Sequence, residues 1–215
     1  MKSQFAALCG TKRSISVVLA LWLAAVAAAG AARAAGPQDN IRAFYGVLLQ
    51  TMENGRALGE SGRYGALSPV VHRVFDLPSM ARLAVGPAWE GFTAAQRQEV
   101  TAAFGRYVTA TYADRFDSYS GERLEVAGER PYAAGVIVLT RIVKPGSDSV
   151  QIDYLMRQNP AGWQVSDVYL DGTISQLATQ RSEFQSILRR EGIDGLISAL
   201  NRKVDLLTRS VARSQ

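Results

Sequence analysis

One cysteine and one histidine stand among 215 residues, and that scarcity excludes whole classes of chemistry. A disulfide framework needs paired thiols, and a tetrahedral zinc site needs several Cys or His ligands. The thiol, Cys9, precedes the apolar run SISVVLALWLAAVAAAGAA, and the imidazole, His72, sits in VVHRVF on an expected helix. A lone histidine in such a place is more often structural or surface than a general base. Also missing are G-x-S-x-G, H-E-x-x-H, G-x-x-x-x-G-K and C-x-x-C. The sequence points to no metal, no cofactor and no catalytic nucleophile.

A strongly basic domain is missing too. The chain has 24 Lys and Arg against 19 Asp and Glu, a net charge of +5. Lys2, Lys12, Arg13 and Arg33 supply four of those cations and residues 1–34 hold no acid, so the remainder carries +1. The high pI is therefore no evidence for nucleic acid, which needs a basic patch on the folded domain. Residues 1–34 have the layout of a Sec-type export signal: a basic start, an apolar middle and the small-residue site Ala32-Arg33-Ala34. We expect cleavage after Ala34, leaving 35–215 as a single exported, periplasmic domain. A retained anchor is the rival, since residues 14–32 approach the ~20 a spanning helix needs. The run is Ala-rich and weakly apolar, which favours cleavage. Cys9 then leaves with the signal, and the core alone must hold about 180 residues together.

What is present is periodicity. Ile41, Phe44, Tyr45, Leu48, Leu49 and Met52 recur at i, i+3, i+4, i+7, i+8 and i+11, one apolar helix face. That helix opens at Pro37 beside an Asp/Asn cap candidate and ends near Gly55 to Gly59. LSPVVHRVFDLPSMARLAVGP predicts two short helices, with Pro69 and Pro78 in first turns, Asp76 capping the second and Gly86-Pro87 ending it. Thr93 and Gln96 make a capping box before the long face Val100, Phe104, Tyr107, Val108, Thr111 and Tyr112. Then the pattern changes. RLEVAG, AGVIVLTRIVK, SVQIDYLMRQ and WQVSDVYLDG read as strands, with PGSD and NPAG as turns. An antiparallel meander of about four strands follows. Two closing helices meet at Gly192, the first carrying Ile174, Leu177, Phe184, Ile187 and Leu188 at helical spacing. Helices, then strands, then helices make the fold class α+β.

The segment AGVIVLTRIVK poses the functional question. Val136, Ile137, Val138 and Leu139 make both strand faces apolar, where one wet face would give alternation. Ile152, Tyr154 and Met156 form one face of the next strand, and Val168 and Leu170 one face of the strand after it. Helices can cover one side of such a sheet. The other side takes either more helix or a ligand in an apolar cavity. Pattern alone leaves both open. An enzyme would use Asp153 or Asp167, each near a tyrosine (Tyr154, Tyr169), for proton transfer. The plainer reading pairs each aspartate with Arg141 or Arg157 on the same sheet.

FDLPSMARLAVGPAWEGFTAAQRQEVTAAFGRYVTATYADRF and YLMRQNPAGWQVSDVYLDGTISQLATQRSEFQSILRREGIDGLISALNRK resemble the toluene-tolerance family, the MlaC-type periplasmic lipid carriers. The matching positions include Phe75, Asp76, Arg82, Gly86, Trp89, Gln96, Tyr112, Tyr154, Gly162, Trp163, Asp167, Gly172, Arg181 and Phe184. The resemblance implies an NTF2-like fold, with a curled sheet and helices around an apolar cavity that takes lipid tails. It implies a non-catalytic shuttle that meets an inner-membrane ABC transporter complex and an outer-membrane lipoprotein complex. Gln180 stands where the phospholipid branch commonly carries Tyr, and LDGTISQLA is similar to the hopanoid-associated branch. The cargo is then a phospholipid or a hopanoid. Phe104, Tyr107, Val136, Val138, Tyr154, Met156 and Val168 are the candidate lipid-binding residues. Trp89, Trp163, Asp76 and Asp167 are read as fold-holding. A lipid-modifying enzyme and a periplasmic adaptor with a closed core are the rival functions.

Overall fold

The computed structural model describes residues 35–209. The expected export signal, 1–34, lies outside them, as do residues 210–215. Helix α1 (Pro37–Glu53) buries Ile41, Phe44, Tyr45, Leu48 and Met52, the face set by their spacing. Its cap comes from inside the first turn: the Gly36 N–H donates to Asp39 Oδ2 at 3.2 Å.

Helix α2 (Gly55–Val74) corrects one expectation. Pro69 does not open a short helix but sits inside a long one. The missing N–H leaves the Gly65 carbonyl without its usual donor, and Gly65 is exposed, so water can serve it. The helix is broken instead at Gly59, at φ 59° and ψ −171°. Buried Arg63 ties the start of α2 to the next long helix, donating to the Gly55 carbonyl at 3.1 Å and the Ala113 carbonyl at 3.0 Å.

Asp76 caps α3 (Leu77–Val85), accepting from the Ser79 N–H at 3.2 Å. A 3-10 turn (Gly86–Gly91) follows. Helix α4 (Ala94–Arg115) opens on the expected capping box, with Thr93 and Gln96 each accepting from the other's backbone N–H.

Five strands form one antiparallel meander: β1 (Arg123–Tyr132), β2 (Gly135–Val143), β3 (Val150–Asn159), β4 (Gly162–Leu170) and the two-residue β5 (Ile174–Ser175). Bulges interrupt the register between Val126 and Gly128 and between Leu155 and Met156. Such bulges add local twist and help the sheet curl. Pairing sets Val138, Tyr154 and Val168 in one cross-strand row, and Val136, Met156 and Val165 in the next. These rows face the helices. On the opposite face Ile137 pairs with Leu155, and both are buried as well.

Helix α5 (Gln176–Arg209) closes the chain, broken at Gly192 with φ 68° and ψ −165°. Helices and sheet are joined where Phe75 bridges Val165 and the Asp76 N–H donates to the Val165 carbonyl at 2.9 Å. Phe44 is the aromatic centre. Its ring lies 5.5 Å from Phe75, 5.2 Å from Tyr112 and 6.4 Å from Tyr154, all edge to face.

Gly59 and Gly192 share a backbone region open almost only to glycine, and a Cβ at either would meet nothing within 4 Å. Gly59→Ala and Gly192→Ala are therefore expected to cost about 1–3 kcal/mol each through backbone strain alone. Urea denaturation of the two variants checks this, and wild-type midpoints would contradict it.

Candidate functional site: an apolar cavity between α4, α5 and the sheet

A cavity of about 140 Å³ lies between the C-terminal half of α4, the first turns of α5 and the inner faces of β3 and β4. Its floor is Phe75, Met80 and Phe104, each buried. Ile152, Val168 and Leu177 line its wall. Arg115, which is exposed, and the half-buried Gln176 stand at its rim. The lining is apolar except for Thr111, Arg115, Gln176, Gln180 and the hydroxyls of Tyr107 and Tyr112.

Three of the seven nominated residues, Phe104, Tyr107 and Val168, come together here. Val136, Val138, Tyr154 and Met156 lie on the same sheet face but outside the cavity lining. Val138, Tyr154 and Met156 are fully buried in the main core, and Val136 packs against it. Sequence reasoning overlooked Phe75, Phe116, Arg115, Gln176 and Gln180 as lining residues. The Val100–Tyr112 face read from the sequence already held Thr111 and Tyr112, and extending it by i+4 from Thr111 reaches Arg115. Phe75 carried no such signal, because it lies between helices and is placed by its bridge to β4.

The two candidate aspartates are engaged elsewhere. Neither pairs with Arg141 or Arg157. Asp153 accepts from the Thr140 N–H at 3.1 Å and from Gln151 Nε2 at 2.8 Å. Asp167 accepts from the Val168 N–H at 2.7 Å, from Ser175 Oγ at 2.6 Å and from the Leu177 N–H at 3.2 Å. It therefore joins β4, β5 and α5, as its fold-holding reading expected. Arg141 instead meets Glu125 at 2.6 Å, and that hydrogen bond, with a second from Arg123, holds the Glu125 carboxyl below its usual range. Neither aspartate lines the cavity. Burial first, and then the Asp167 charge, pushes the pKa of Tyr169 up to about 12, so its hydroxyl stays protonated near neutral pH. His72 is exposed on α2, with Nδ1 2.8 Å from the Ser68 carbonyl.

Tyr112 also belongs to a second group: its hydroxyl interacts with those of Tyr45 and Tyr154, which lie outside the lining. Thr140 Oγ1 donates to the Ile152 carbonyl, so the Tyr45 hydroxyl donates to Thr140 Oγ1 at 2.6 Å. The Tyr154 hydroxyl is buried and has no partner at hydrogen-bonding geometry. Burial is the first cause that raises all three pKa values above 10, Tyr154 most clearly.

A family model described as MlaC protein matches residues 44–202, more than half of the chain. The chain belongs to the MlaC family. The matched stretch runs from Phe44, the aromatic centre, into the second segment of α5, and it contains every residue of this chain that lines the cavity. The fold is also similar to a solved structure of a phospholipid-binding protein from Ralstonia solanacearum, determined in complex with a phospholipid. The TM-score is 0.71 at 21% identity, over 80% of this chain and 99% of that one.

The tyrosine cluster predicts alkaline sensitivity with a definite sign. Folded-state values above the unfolded ~10 contribute stability that is fully present below pH ~10 and is lost as pH rises through the folded values. Thermal melts from pH 8 to pH 11 should show Tm falling above pH ~10, and less steeply in Tyr154→Phe. At neutral pH Tyr154→Phe removes an unpaired buried hydroxyl and should be neutral or stabilising by up to ~1 kcal/mol. A loss beyond ~1 kcal/mol would show that the hydroxyl has a partner.

Proposed function

We propose that the protein is a non-catalytic periplasmic carrier that takes the tails of a phospholipid into the cavity between α4, α5 and the sheet. The observation that carries this reading is the lining: an aromatic and aliphatic floor and wall, with polar groups gathered in one strip. Family membership and a lipid-bound protein of the same fold support it. Each buried CH₂ contributes ~0.8 kcal/mol, so one long acyl chain is worth on the order of 10 kcal/mol before ordering costs. Spontaneous release is slow at that affinity. The carrier therefore hands its cargo to partners that open the cavity: an inner-membrane ABC transporter complex and an outer-membrane lipoprotein complex.

An apolar cavity of ~150 Å³ holds a molecule of benzene size, so about 140 Å³ admits only a short stretch of tail. Cargo entry widens it. The segment of α5 before Gly192 is the wall that moves, since Gly172 and Gly192, both at φ near 70°, bound it. No catalytic group is required, and Asp153 and Asp167 are already committed to backbone and side-chain donors.

Native mass spectrometry of protein purified without detergent should find stoichiometric lipid, and extraction should identify a phospholipid or, as the branch-like LDGTISQLA motif allows, a hopanoid. Lipid recovered after incubation should be chemically unchanged. Val108→Trp, which fills the cavity from α4, should cut bound lipid at least tenfold while Tm stays within a few degrees. A wild-type protein that stays free of both lipid classes after incubation would sink the carrier reading and favour an adaptor.

A further inference from the structure

The apolar cavity carries a polar strip that its floor does not need. Thr111 and Arg115 on α4, and Gln176 and Gln180 on α5, are each spaced i, i+4, which sets each pair on one helix face. All four line the same cavity. Arg115 is the one charged residue of that lining, and no carboxylate belongs to it. Among the described residues Arg115 makes no ion pair and no side-chain hydrogen bond. Gln180 Oε1 is buried without a partner. The other two members are half used. Thr111 Oγ1 donates to the Tyr107 carbonyl at 2.8 Å, and Gln176 Nε2 donates to the Ile174 carbonyl at 3.3 Å. Both keep acceptor capacity, and Gln176 keeps a second N–H.

We propose that this strip is a head-group site for the glycerol-phosphate end of a diacyl glycerophospholipid, with Arg115 on the phosphodiester and Gln180 on an ester carbonyl. The proposal rests on the carrier reading above and adds which lipids are selected. A guanidinium grips a phosphate through two charge-assisted bonds, a geometry that a neutral lipid cannot use. The Gln180 amide turns by 180° at little cost, which brings its N–H groups to the position now held by the unpartnered oxygen. An ester carbonyl there would satisfy them. The strip also fixes cargo polarity: the head stays at the Arg115 rim and the tails point toward Phe75 and Phe104. A neutral polycyclic lipid fills the same floor and leaves Arg115 to water.

Equilibrium binding to the delipidated full chain tests this with three probes: dioleoyl phosphatidylglycerol, dioleoylglycerol with the same tails, and inorganic phosphate alone. Wild type should prefer the phospholipid over the diacylglycerol about tenfold. Arg115→Ala should reduce that preference about fivefold, as expected for a partly exposed charge pair, and Arg115→Lys should restore part of it. Gln180→Leu, a second variant, should weaken phospholipid binding about threefold while the preference over diacylglycerol persists. Arg115 is exposed, so the fold should survive its replacement, and Tm checks that. An unchanged preference in Arg115→Ala, with both lipids bound, overturns the head-group site and leaves the carrier reading standing. Wild type that binds neither lipid overturns both. Stabilisation by millimolar phosphate alone would assign Arg115 to a free anion and overturn the proposal.

Discussion

The ring of Phe44 meets Tyr45, Phe75, Tyr112 and Tyr154, and through these contacts α1, α4, the link before α3 and strand β3 share one centre. Edge-to-face geometry fixes angles as well as distances, so the cluster sets how the helices sit on the sheet. The cavity depends on it directly. Phe75 and Tyr112 belong to the cluster and also line the cavity, where Phe116 stacks on Tyr112 at 5.7 Å. Core and cavity lining are thus two sides of the same rings. A floor built this way holds its shape because the core behind it cannot shift without loss of packing.

Polar groups supplement that apolar centre where elements must be joined. Asp167 serves β4, β5 and α5 with one carboxylate, and Arg63 serves α2 and α4 with one guanidinium. Each sits among backbone groups that would otherwise lose their partners on burial. This explains why a sheet aspartate beside a tyrosine imitates a catalytic pair in the sequence. Its neighbours in space are backbone donors and a serine.

The sequence made the helices and strands legible wherever period and cap agreed. The Ile41–Met52 face, the Thr93–Gln96 box, the Asp76 cap and the Gly192 break all stand where spacing put them. Pro69 misled, because one missing hydrogen bond is cheap where the orphaned carbonyl reaches water. The strand pattern marked Val138, Tyr154 and Met156 as inward-facing but could not say which inward residues touch a cavity. That depends on where α1 and α4 lie above the sheet, a matter of tertiary packing. Val168 lines the cavity and Val138, in the same cross-strand row, does not. The polar strip was hidden for a related reason: Gln176 and Gln180 look like ordinary solvated helix positions until α4 is placed beside them.

The strands pair only with their neighbours in sequence, so the sheet can assemble from short-range contacts as the chain appears. The cavity cannot. Leu177 and Gln180, which form one of its walls, come from the last element of the chain. A chain built from its N-terminus has its sheet and aromatic centre in hand before the cavity is closed. Completion of the cavity is thereby postponed to the whole molecule: a chain that stops before α5 has the sheet and the aromatic centre but lacks one wall of the cavity.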